Sequence, residues 1–139
     1  MVRTLKPHIV VQVVKTWANS WATSHRFHEA CRLSCLFGCL DGVDSINHYA
    51  FWPFLRDAMS QCSSDPTNPA FYSLLGLINP SRDTLKGIAA MFYAYNSVSF
   101  HPATCSLLST RTQPVPTTDA QLFQRLFAGS FEAALRHAC

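Results

Sequence analysis

The chain has 139 residues, of which 48% are apolar and 14% charged, enough for one domain with one buried core and too apolar for wholesale disorder. Its formal charge of +3 is carried by eleven basic residues, no two of them adjacent, which excludes a polybasic tail of the kind that grips nucleic acid or membrane without a fold. No segment approaches the roughly 18 consecutive apolar residues that a membrane helix requires.

From Pro7 to about Ala22 the residues Ile9, Val10, Val13, Val14, Trp17 and Trp21 recur at steps of three and four, and Pro7 suits a first helical turn. The spacing predicts a first amphipathic helix. The valines leave a strand over His8 to Val14 as the competing reading. Residues 23 to 44 hold no sustained period, and Asp41-Gly42 is turn chemistry, so a tight irregular or hairpin-like loop is expected there. Asp44 or Ser45 can cap a second helix that runs to about Met59, with Pro53 bending or restarting it. Ser63 to Pro69 reads as a polar linker. Pro69 opens a short third helix through Phe71, Leu74, Leu75 and Ile78, which Asn79-Pro80 ends.

Asn79 or Ser81 then caps a helix with Leu85, Ile88, Ala89, Phe92 and Tyr95 on one face. Phe92 and Tyr95 are expected to be buried against Phe123 and Phe127, and Tyr93 to be exposed. Between His101 and Thr117 the prolines 102, 114 and 116 among several Ser and Thr residues predict a flexible connector. Thr118 and Gln121 form a capping box for a final amphipathic helix over 118–139, with Leu122, Phe123, Leu126, Phe127, Phe131, Ala134 and Leu135 as its apolar stripe. The expected fold is mainly α: a single helical domain over 1–139, about five helices, and one cysteine-bearing irregular or hairpin loop after the first.

The chemistry concentrates in that loop. Cys35-Leu-Phe-Gly-Cys39, followed nine residues later by His48, places two thiols and an imidazole at spacings suited to three ligands of a tetrahedral zinc ion. One helical turn past His48, where a fourth soft donor is expected, stands Trp52. The segment 23–62 therefore reads as a degenerate zinc knuckle. Cys31, His28 and Cys62 are the candidates for a relocated fourth ligand. The competing reading makes Cys35 and Cys39 buried free thiols, with Trp52 filling the space a metal once held. The first residues lack signal-peptide character, so a reducing intracellular compartment, nucleus or cytoplasm, is expected, with the six cysteines as thiols or ligands rather than disulfides.

The run from Lys15 to Phe27, the Cys35 to Cys39 pair, Asp44-Ser45-Ile46-Asn47-His48-Tyr49 and Trp52-Pro53 together resemble the region that follows the polymerase domain in reverse transcriptases of non-LTR retrotransposons. The resemblance spans roughly residues 15 to 100 if Gly76 to Pro80 and the aromatic helix to Tyr95 are included; its specific motifs lie in the first 40 of these. That family's zinc-binding segment has a paired cysteine, a polar spacer, a His-Tyr and a Cys-Pro. Cys35, Cys39 and His48 match three of its metal positions, and Trp52 departs from the fourth. The resemblance implies a grip on template nucleic acid, RNA or DNA.

Polymerase chemistry needs paired aspartates for two magnesium ions, and no two aspartates are adjacent here. The cysteine and histidine pairs at Cys105/His101 and Cys139/His137 lack an orienting carboxylate, so catalysis is not expected. The expected function is a non-catalytic nucleic-acid-binding module with zinc as cofactor and with Arg26, Arg32 and Arg56 as candidate phosphate contacts. The alternative is a metal-free helical module that binds a protein partner or a second copy of itself through aromatic helices.

Overall fold

A computed structural model describes residues 5–23, 33–60, 81–110 and 114–138. Among them are six helices: α1 (Pro7–Trp17), α2 (Ile46–Phe51), α3 (Pro53–Ser60), α4 (Arg82–Ser99), α5 (Pro102–Thr110) and α6 (Thr117–Ala138). The expected helix over 69–78 lies outside the described residues. The long helix α4 forms the centre, packing most extensively against α6 and next against α1. Its sequence explains why. Gly87, Ala89, Ala90 and Ala94 are buried between Ile88, Met91, Tyr95 and Val98, so small residues let neighbouring helices approach closely while large ones fill the gaps.

Ser81 caps α4 by accepting the Thr84 N–H at 3.0 Å, which satisfies one of the free donors of the first turn. α6 presents Ala120, Phe123, Phe127 and Phe131 to the core at steps of three and four, and full burial of each phenylalanine contributes roughly 1.5–3 kcal/mol. This helix begins at Thr117, so Thr118 sits inside its first turn rather than at its cap. On α1 the buried residues are Ile9, Val13 and Thr16; the period is helical, and the strand reading is set aside.

α1 stops at Trp17, short of the expected Ala22, because Asn19 adopts a left-handed φ of 51°, a conformation Asn tolerates better than most residues. The reversal swings Trp21 into the core. Its indole N–H donates to Thr16 Oγ1 at 3.1 Å, and its ring stacks on Tyr95 at 4.9 Å. Tyr95 is therefore fully buried against Trp21 and Tyr49, and Phe92, partly buried, meets Trp21 edge-on. Tyr93 is half exposed, as expected.

A second correction concerns the connector expected over 101–117. Residues 102–110 form α5: Pro102 is pre-set for a first turn, Thr104 Oγ1 donates to the Val98 carbonyl at 2.7 Å, and Thr104 and Leu107 are buried. No helix of the described residues is long and apolar enough to cross a membrane.

Candidate metal centre

The cysteine loop is pinned at its base by one antiparallel bridge, Ser34 to Val43. Cys35 N–H donates to the Gly42 carbonyl at 2.7 Å and Asp44 N–H to the Leu33 carbonyl at 2.9 Å. Within it, Gly38 holds φ at +90°, which glycine adopts without the strain a side chain brings. The chain thereby turns back and brings Cys39 over Cys35. Ser45 caps α2 by accepting the His48 N–H at 3.2 Å, while the Asp44 carboxylate turns inward. From the first turn of α2, His48 reaches back to the loop.

Cys35 Sγ and Cys39 Sγ are 3.1 Å apart, and Cys39 Sγ lies 3.1 Å from His48 Nε2. All three donor atoms fall within 4.8 Å of one another, close enough to hold a metal ion. Zn–S bonds of about 2.3 Å in a tetrahedron separate two sulfurs by about 3.8 Å, so metal entry requires the thiols to open slightly. Cys35 is fully buried and Cys39 only partly; Cys39 is the side that can move.

Burial pushes the Cys39 thiol up to about 12, helped by its hydrogen bond to Cys35 and by the charges of Cys35 and Asp41, against a smaller opposing backbone hydrogen bond. His48 is lowered below its ordinary value by burial, with the Asp44 charge opposing. A neutral imidazole with a free lone pair is what a metal needs. The thiol must lose its proton to solvent as the metal binds, so binding releases protons and tightens as pH rises. The same raised thiol is a poor nucleophile.

Two supporting features escape the sequence pattern. The first is Gly42, where an added Cβ would stand 2.3 Å from His48 Nε2 and Cε1. Absence of a side chain is what lets the imidazole lie against the loop. Gly42→Ala is expected to displace the ring and weaken metal affinity by about 10- to 100-fold, measurable by competition with a chromogenic chelator; unchanged affinity would show that the ring has another route to the metal.

The second is a buried network that joins the loop to α4. Asp44 Oδ1 accepts from the Tyr49 hydroxyl at 2.8 Å and the Tyr95 hydroxyl at 2.5 Å, while the Tyr49 oxygen accepts the Leu36 N–H at 3.2 Å. Leu36 follows Cys35 and Tyr49 follows His48, so this chain of bonds fixes both sides of the centre. Burial, and then the Asp44 charge, pushes both phenols well above their ordinary range.

Trp52 has a different task from metal ligation. Its indole stacks on Phe37, inside the cysteine loop, at 4.8 Å and 18°, and Phe37 also meets Tyr49 and Phe127 edge-on. The loop is thus anchored by an aromatic contact, of a kind worth about 0.5–1.5 kcal/mol beyond its burial. Cys31, His28, Cys62, Arg26 and Arg32 lie outside the described residues. Arg56 is exposed on α3, with Asp57 exposed beside it. The chain matches no protein-family profile, no curated protein and no solved structure.

Proposed function

We propose that the chain is a non-catalytic helical module in which zinc, held by Cys35, Cys39 and His48, ties the cysteine loop to α2, and that the module binds nucleic acid. The convergence of the three donors within 4.8 Å carries the metal part. Two thiols and one imidazole form a borderline-soft donor set that favours zinc over magnesium or calcium. Trp52 supplies no donor, so the fourth position falls to Cys31, His28 or Cys62, which lie outside the described residues, or to solvent.

The resemblance to the segment downstream of retrotransposon polymerases supports nucleic acid as the partner, together with the net charge of +3. The surroundings of the site agree with it. Leu40 at the loop tip is 95% exposed, and Phe51 on α2 is 54% exposed, and an exposed aromatic ring can stack a base of any identity. In fluorescence anisotropy with single-stranded RNA and DNA oligonucleotides, binding is expected to weaken steeply between about 50 and 200 mM salt. Phe51→Ala is expected to cost about 1–3 kcal/mol of that affinity. Absent binding, or binding indifferent to salt, would remove the nucleic-acid role.

Trp52→Cys restores a thiolate one turn after His48 and is expected to raise zinc affinity at least about tenfold, while the metal-free chain loses stability along with the stack on Phe37. Unchanged affinity in a calorimetric titration would mean that position 52 does not face the metal.

A specific observation favours a second reading, a metal-free helical module that docks a protein or its own copy. Val10, Val14 and Trp17 form one stripe on the outer face of α1, 45%, 52% and 44% exposed. Self-association abolished by Trp17→Lys and insensitive to both chelator and salt would select that reading.

A further inference from the structure

Far from the cysteine loop along α4, the end of the bundle where α1 begins and α6 finishes holds a cavity of about 240 Å³. Lys6 Nζ bridges the two elements there, donating to the His137 carbonyl at 2.7 Å. The interior is walled by Ile9 and by the small side chains of Ala89, Ala90 and Ala134. At its edge stand Lys86, His8, His137 and Tyr93. The cavity is thus apolar within and carries basic and hydrogen-bonding groups around its mouth, with no carboxylate among the described residues that line it.

We propose that this cavity binds a small monocarboxylate, whose hydrocarbon body fills the alanine-walled interior and whose carboxylate meets the Lys86 ammonium. An apolar cavity of about 150 Å³ takes up benzene, so this larger one has room for a body of roughly eight carbons.

The side chain of Lys86 is only 14% exposed; its stem forms part of the wall while the charge reaches the mouth. Among the described residues its ion-pair partner is Asp83 at 3.1 Å, and because that carboxylate is 69% exposed solvent screens it, so a second carboxylate can share or replace it. Glu132, next to the lining residue Ala133, pairs with Arg136 at 3.7 Å, both side chains exposed. His8, His137 and Tyr93 line the cavity and are exposed, so their polar groups are accessible to a ligand. A few polar groups converging on an apolar hollow is the pattern of small-molecule sites.

The test is a titration of the full chain with octanoate, followed by backbone amide NMR, with octanol and octylamine as controls. Octanoate is expected to shift amides of residues 86–93 and 133–138 saturably, octanol to bind at least about tenfold more weakly, and octylamine to leave them unmoved. Lys86→Met keeps the wall and removes the charge; it is expected to reduce octanoate to the affinity of octanol. Ala134→Leu fills the interior and is expected to abolish both, with its helical circular dichroism retained. Equal binding of octanoate and octanol, octanoate binding that survives either substitution, or no saturable shift at millimolar octanoate overturns the proposal.

Discussion

Cys39→Ser in the zinc-loaded chain is expected to lower unfolding stability by several kcal/mol, the largest effect of any single substitution at the centre. The first half of the loop from Leu33 to Asp44 is held by burial of Leu33, Leu36 and Phe37, but in its second half Leu40 and Val43 are exposed and Cys39 is only partly buried, so a metal bond spanning Cys39 and His48 ties down the part that packing does not. Cys39 is the central donor, within 3.1 Å of both other ligand atoms. Serine conserves size and removes the thiolate. Without metal the same substitution exchanges one partly buried small group for another and is expected to cost about 1 kcal/mol or less. Urea unfolding with excess zinc and with excess chelator measures the two values. Equal losses under both conditions would mean that Cys39 only packs.

The second large effect is expected at Asp44. The carboxylate is 2% exposed and receives two phenolic hydroxyls, so Asp44→Ala leaves the Tyr49 hydroxyl without its acceptor and the Tyr95 hydroxyl with only the distant Ala22 carbonyl at 3.5 Å. Each unsatisfied donor costs about 1–3 kcal/mol, and together they are expected to destabilise the metal-free chain by about 3–5 kcal/mol. Asp44→Asn keeps an acceptor oxygen and is expected to cost less.

The same network sets a pH dependence. Unfolded phenols ionise near pH 10, whereas Tyr49 and Tyr95 hold their protons well above that in the fold. Above pH 10 the unfolded chain therefore binds fewer protons than the folded one, and stability falls as pH rises. The contribution is whole below pH 10 and is lost upward from there. In the metal-free chain Cys39 adds a loss of the same sign between about 9 and 12. Chelator-treated protein should show falling urea midpoints from pH 9 upward, flattened in Tyr95→Phe. A flat profile would contradict burial of these groups.

Much of this arrangement can be read from the residues, and the omissions have physical causes. The donor set was legible because Cys35, Cys39 and His48 sit at spacings that a short turn and a helix start can bring together, as they do here. Helix α4 was legible from its period and its Ser81 cap. α5 was not: Ser, Thr and Pro dominate residues 102–110, and what fixes the helix is tertiary, the Thr104 bond to the Val98 carbonyl and the burial of Leu107.

The end of α1 turned on the backbone of one residue, Asn19, which periodicity does not register. Trp52 was visible as a departure from a ligand pattern, but its stack on Phe37 is a contact between elements that spacing cannot report. Asp44 looked like a helix cap. Ser45 takes that place, and the carboxylate goes inward to two tyrosines, one of them 51 residues away.

The most direct test of the central claim is metal analysis of the purified chain after dialysis, with Cys39→Ser alongside. A zinc centre at Cys35, Cys39 and His48 predicts one zinc per chain in the native protein, with proton release on loading, and none in the variant. Zinc far below stoichiometry in protein that is folded and fully reduced, or zinc retained equally by the variant, would contradict it.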